Sequence, residues 1–331
     1  MEKEAFRQFI QVILHDEMRI QNNIEFINEV KTFYKRQANN MGLDQLSLDD
    51  FEQLIIFLVE TKKNSKENFL ALLRYFRFTG NRELEAAILE LIDGSDVLEN
   101  LSKTLKKTKG TQIHNKIFVG IDFPPLGTFS KEKPEITKKI MERMEAELGE
   151  EGCKEVLLSG PHVVPGDFFI EDKKKFLKSK NLDDFLRKRH VAYIDELEQH
   201  LKNGTLYFTQ YVDQAVVDYV RDNQSCQVGL RKDDKIFVTK IPYNAISYLK
   251  EKDGKLKRYY YCHCPWVREG IKSDTKVPST FCYCSAAFEK RLWDVIFGES
   301  VKIDVIDSVL RGDMVCRFAI HVPKKWLTHT K

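Results

Sequence analysis

Residues 286–321, AAFEKRLWDVIFGESVKIDVIDSVLRGDMVCRFAIH, decide the fold class. Ala286 to Phe297 reads as a helix, and Gly298 ends it. Val301-Lys302-Ile303-Asp304-Val305 then alternates apolar and polar, as a half-buried strand does. Gly312-Asp313 turns the chain into Val315 to His321, where Cys316, Phe318 and Ile320 share one face. Working outward, Arg231 to Asp234 reads as a turn before a strand from Lys235 to Ile241. Arg258 to Cys264 reads as a second strand, and Thr280 to Ser285 as extended. Further upstream, Pro134 opens a helix carrying Ile136, Ile140, Met141, Met144 and Leu148, which Gly149 breaks. A loop holds Ser159 to Gly166. Leu182 to Leu201 is a long helix, and residues 205–225 give a short strand and a helix with Val216, Val217 and Val220. Helices ahead of a mostly antiparallel sheet make this region α+β.

The first 95 residues repeat apolar side chains at helical spacing: Phe6, Ile10 and Ile13, then Ile24, Ile27, Val30 and Tyr34. Ser47-Leu48-Asp49-Asp50 resembles a capping box opening a helix with Phe51, Leu54, Ile55 and Leu58. Ser65 caps a fourth helix, closed by Gly80, and a fifth runs from Arg82 to Ile92. Short connections imply a compact bundle. The expected organisation is a helical bundle over 1–98, a basic linker over 99–116, and an α+β domain over 117–331. Phe123-Pro124-Pro125-Leu126-Gly127 is read as the entry to that domain.

A chain of 331 residues is long for one core, which also favours two domains. The net charge of +3 gives no general reason to expect nucleic acid or an anionic membrane as partner. The charged start, Met1-Glu2-Lys3-Glu4, lacks a signal-peptide core, and no window approaches the roughly 18 apolar residues of a membrane span. The expectation is a cytoplasmic protein without a membrane partner. Five of the seven cysteines fall between 262 and 316. In a reducing compartment such crowding reads as metal binding or thiol chemistry before disulfides.

Those cysteines form two pairs, Tyr261-Cys262-His263-Cys264-Pro265-Trp266 and Phe281-Cys282-Tyr283-Cys284-Ser285. On strands, each pair would present both sulfurs to one face, with His263 and Tyr283 opposite. Four thiolates from Cys262, Cys264, Cys282 and Cys284 would suit zinc or an iron–sulfur centre. Two other readings stay open: a thiol pocket for a small molecule, and small buried hydrophobes. Cys316 can join from a neighbouring strand, while Cys153 and Cys226 are isolated. Lys240 and Arg268 are candidate anion ligands. Arg268-Glu269 reads either as a closure of the pocket or as a surface ion pair. His162 lies in a Gly/Pro loop, where functional side chains concentrate.

The bundle resembles the SAM-like core-binding domain of tyrosine recombinases, chiefly over Leu73-Arg74-Tyr75-Phe76-Arg77-Phe78-Thr79-Gly80-Asn81. That resemblance leaves DNA contact open, but no recombinase catalytic constellation follows. From about Ile117 the chain resembles an uncharacterised prokaryotic family with Cys-x-Cys-Pro, Cys-x-Cys-Ser and Gly-Asp-x-x-Cys-x-Phe segments. Here these are Cys262 to Pro265, Cys282 to Ser285 and Gly312 to Phe318. The last 40 residues are similar to the 4-vinyl reductase type of ligand-binding domain and, more weakly, to L-2-amino-thiazoline-4-carboxylic acid hydrolases. The former often has a cysteine where this chain has Ser308. These resemblances imply a sensor-like protein binding a metal or small acidic molecule, often as a homodimer. The alternative is a hydrolase of a small cyclic carboxylated substrate. In it metal-bound water or a cysteine thiolate attacks, Lys240 or Arg268 grips the carboxylate, and Glu269 acts as base.

Overall fold

The structure, a computed structural model, describes residues 2–37, 42–162 and 164–327. Chain contacts divide it into two units: Met1–Ser95 with Pro124–Phe129, and Asp96–Phe123 with Ser130–Lys331. The fold is α+β, with a four-stranded antiparallel sheet among many helices.

Among its described residues the first unit holds five α-helices, α1 (Glu2–Gln11), α2 (Glu17–Gln37), α3 (Leu48–Glu60), α4 (Lys66–Thr79) and α5 (Arg82–Ile92). Their ends follow local chemistry. Ser47 and Asp50 form a reciprocal capping box on α3, Ser65 accepts from the Asn68 amide at the start of α4, and Gly80 closes α4 at φ +74°. Leu54, Ile55, Leu58, Phe69, Leu72, Phe76 and Ile88 are fully buried between them. Each such side chain contributes about 1.5–3 kcal/mol by leaving water. Residues 124–129 belong to this unit, which corrects their reading as an entry to the second. Leu126 and Phe129 pack on its core, and Asn64 Nδ2 donates to the Leu126 carbonyl at 2.8 Å. Gly127 makes this approach feasible: at φ +102°, a Cβ there would meet Phe69 and Val59 at 3.0 Å.

The second unit begins with α6 (Val97–Phe118), so residues 99–116 are helix and not a linker. Leu98, Leu101, Leu105 and Ile117 form a buried stripe, and Lys103, Lys106 and Lys107 occupy the solvated face. Gly110 kinks the helix at φ +84°. Next come α7 (Lys133–Leu158), kinked at Gly149 as expected, α8 (Ile170–Lys178), α9 (Leu182–Asn203) and α10 (Gln214–Asp222). The hairpin of β1 (Leu230–Lys232) and β2 (Lys235–Thr239) turns at Asp233, with φ +55°. After α11 (Ala245–Lys250), α12 (Gly254–Tyr261), α13 (Arg268–Ser273) and α14 (Tyr283–Phe297), the chain returns as β3 (Ile303–Asp307) and β4 (Arg317–His321). Strand order is β1-β2-β4-β3, all antiparallel, with a register shift between Val305 and Asp307.

Two of the expected extended segments are helical. Arg258 to Tyr261 belong to α12, because Asp253 accepts from the Leu256 amide and starts a helix just ahead of the three tyrosines. Ser279–Cys282 is a 3-10 turn leading into α14. Two buried clusters fill the unit. One lies between the sheet and α8, α9, α10 and α14, and the other joins α6 and α7 to the cysteine-bearing segments.

Candidate functional site

Cys262 caps the end of α12, Cys264 follows it, Cys282 and Cys284 straddle the start of α14, and Cys316 precedes β4. The expected face-sharing therefore fails within the second pair. Residues two apart near a helix start point in different directions. Cys284 is buried in the core, whereas the Cys282 Sγ lies 3.0 Å from Ser308 Oγ. Among the described residues no group of three or more His, Cys, Asp or Glu is placed to hold a metal ion. The four-thiolate centre expected of Cys262, Cys264, Cys282 and Cys284 is thus not formed in this arrangement.

The five sulfurs nonetheless share one neighbourhood. Burial pushes every one of these thiols up, and for all but Cys262 a neighbouring thiol adds to it. Cys282 is raised well above the usual range by burial and then by Cys316, Cys262 and Cys264. Cys264 is raised by burial and then by Cys262 and Cys284. Cys316 reaches about 12 through burial and Cys262. Cys284 rises through burial and Cys282, and Cys262 through burial. Cys264, Cys282, Cys316 and His263 also keep some solvent-accessible surface. We read these half-buried groups as the lining of a recess. Cys153 and Cys226 sit apart in the cores, fully or almost fully buried.

Lys240 sits among these groups, just past β2. Its backbone amide donates to the Cys316 carbonyl at 3.0 Å, its carbonyl accepts from the buried Tyr261 hydroxyl, and its Nζ donates to Ser285 Oγ at 3.0 Å. Its charge reaches Cys262, Cys264, Cys284 and Cys316, where it opposes burial. It also reaches both expected histidines. Burial and then Lys240 lower His162 to about 4 and hold His263 well below its usual value. His263 Nε2 lies 2.5 Å from the Ile241 carbonyl. A carbonyl only accepts, so Nε2 carries the proton and Nδ1 is left as an acceptor. His263 therefore joins the neighbourhood it was expected to face away from. His162 packs edge-on against Phe288, ring centroids 6.0 Å apart.

Arg268 is buried, with its guanidinium 4.2 Å from the Tyr243 ring centroid, and its charge bears on Cys262 and His263. Its burial rules out the surface position that the sequence allowed. Glu269 accepts from the Tyr259 hydroxyl at 2.6 Å.

Three contributors escaped the sequence reading. Ser285 receives Lys240. Ser308 is buried and meets Cys282, at the position where the resembling domain often carries cysteine. Glu289 lies one turn beyond Ser285 on α14, accepts from Trp293 Nε1 at 3.0 Å, and is raised by burial against the charges of Arg189 and Lys240. A lone glutamate among Ala286, Leu292 and Trp293 was the available signal for it.

These features define an α+β unit with a thiol- and imidazole-lined recess around one lysine. A family described as "Family of unknown function (DUF6144)" matches residues 207–326, which include Lys240 and all five clustered cysteines but not His162. No curated protein and no solved structure matches the chain. Among the described residues no helix is long and apolar enough to cross a membrane.

Proposed function

We propose that the second unit binds a small anionic molecule, a carboxylate, in the cysteine recess, with Lys240 as its anchor. One observation carries this reading. The Lys240 ammonium makes a single hydrogen bond, to Ser285, and no ion pair among the described residues, beside thiols and imidazoles that burial keeps uncharged. An ammonium has three donors, so two remain for a ligand. The first turn of α14, which bears Cys284 and Ser285, adds the positive end of a helix dipole. The resemblance to the 4-vinyl reductase type of ligand-binding domain points the same way.

Binding is favoured over hydrolysis because the thiols are held protonated. A nucleophilic cysteine needs a lowered pKa or an adjacent base. Here burial drives all five thiols the other way, and His162 and His263 are too weakly basic to compensate.

A thermal-shift panel of small mono- and dicarboxylates tests the proposal on wild type and Lys240→Gln. A true ligand at about 100 times its dissociation constant adds about 2.7 kcal/mol, a rise of several degrees in wild type alone. A panel without any shift, or equal shifts in both proteins, would overturn it.

A further inference from the structure

A second concave surface of this unit shares no lining residue with the recess. It is a groove of about 270 Å³ between α8 and α9, walled by Lys175, Lys178, Lys188 and Arg189, with Asp172 on its rim and Phe185 at its base. Four cations thus face one carboxylate. Some of this has a local cause. Lys175 and Lys178 lie in the last turn of α8, where cations complement the helix dipole. That cause does not extend to Lys188 and Arg189, which lie in the second turn of α9, near the dipole's positive end. The charge is only half neutralised in place. Lys188 pairs with Asp184 at 2.6 Å, and Arg189 holds Asp172 at 3.4 Å and the Val228 carbonyl at 3.2 Å. Lys175 and Lys178 form no ion pair among the described residues.

We propose that this groove binds a small phosphorylated molecule, its phosphate held by Lys175, Lys178 and Arg189 and its apolar part resting on Phe185. A tetrahedral oxyanion offers separate oxygens to three cations. The volume suits a compact ligand, just below the roughly 300 Å³ at which pockets for drug-sized molecules begin.

The probe is inorganic pyrophosphate, titrated calorimetrically into the full chain at low and at raised salt. One saturable site is expected, weakened by salt. Lys175→Gln with Lys178→Gln should weaken it at least about tenfold, the loss of one charge-assisted hydrogen bond. Lys202→Gln with Lys232→Gln, which removes the same total charge elsewhere, should leave it unchanged. All four lysines are exposed, so folding is not at stake. Absence of a saturable site, or equal weakening in both double variants, would overturn the proposal. Loss of binding in Lys240→Gln would move the anion to the recess and overturn it as well, whereas the carboxylate panel above can fail without touching this result.

Discussion

The bundle of the first unit and the recess of the second both hide side chains from water, but they hide opposite chemistry. The bundle buries hydrocarbon and aromatic rings, and its charged groups pair at the rim, as Arg74 does with Glu67 at 3.0 Å and Arg77 with Glu85 at 2.7 Å. It contains no cysteine, since all seven lie in the second unit. The recess gathers thiols, imidazoles, Glu289 and a lysine. In the bundle, burial stabilises the fold. In the recess, burial suppresses ionisation of the thiols and imidazoles, and the cations Lys240 and Arg268 stand among them. Experiments that separate these two uses of burial test the functional reading.

The largest expected separation is with alkali. Burial raises all seven thiols. Above pH 9 the unfolded chain gives up thiol protons that the folded chain keeps. The folded state then binds more protons, so stability falls as pH rises. Each thiol fully protected in this way adds a slope of about 1.4 kcal/mol per pH unit. The first unit has no such thiols. Its raised tyrosines, Tyr34 and Tyr75, begin to act only about one pH unit later. All three tryptophans, Trp266, Trp293 and Trp326, report on the second unit. Urea unfolding followed by tryptophan fluorescence should therefore lose its midpoint steeply between pH 9 and 10. A midpoint that stays level over that range removes the protected thiols from the account.

The next effects come from single side chains. Phe76→Ala empties a fully buried position edge-on to Phe51 and should cost about 3–5 kcal/mol in urea unfolding. Ser308→Ala removes no comparable volume. It strips a partner from Cys282 and from the Leu310 amide, for about 1–3 kcal/mol. It should also make Cys282 react differently with a thiol reagent, a change that Phe76→Ala should not reproduce. Matching reactivity in the two variants would mean that Ser308 is a packing residue alone.

The same contrast explains what could be read from the sequence. The bundle was legible because its signals are local. Ser47, Asp50, Ser65 and Gly80 act within four residues of themselves, and the apolar spacing needs no partner. The sheet was largely legible too, through Lys235 to Thr239 and the alternation of residues 301–305. The cysteine segments were misread because the strand propensity of Tyr259 to Tyr261 was overruled by a cap at Asp253 and by burial of Tyr261. Their crowding still pointed to the neighbourhood in which the fold gathers them. Ser285 and Ser308 gain their roles from partners far along the chain, Lys240 and Cys282. Nothing in their own neighbourhoods encodes such contacts. The α6 segment shows a further limit: its lysines resembled a solvated linker until Leu101 and Leu105 found a core.

The smallest stability effect belongs to the residue with the largest proposed role. Lys240→Met keeps the aliphatic stem that packs in the recess and removes the charge. Ser285 Oγ loses a donor, at about 1 kcal/mol, while the cost of desolvating an ammonium disappears. These contributions oppose, so the unfolding free energy should stay within about 1 kcal/mol of wild type. A buried group placed for stability would behave otherwise, as Phe76 should. The charge leaves a separate trace in His162, which burial and then Lys240 bring from 6.5 to about 4. Without the ammonium the imidazole should titrate higher, yet still below 6.5, because burial, the larger cause, persists. Following the His162 ring protons by NMR across the acid range measures this directly. An unmoved titration in Lys240→Met would show that the ammonium does not face the recess, and the anchor assigned to the ligand would have to be sought elsewhere.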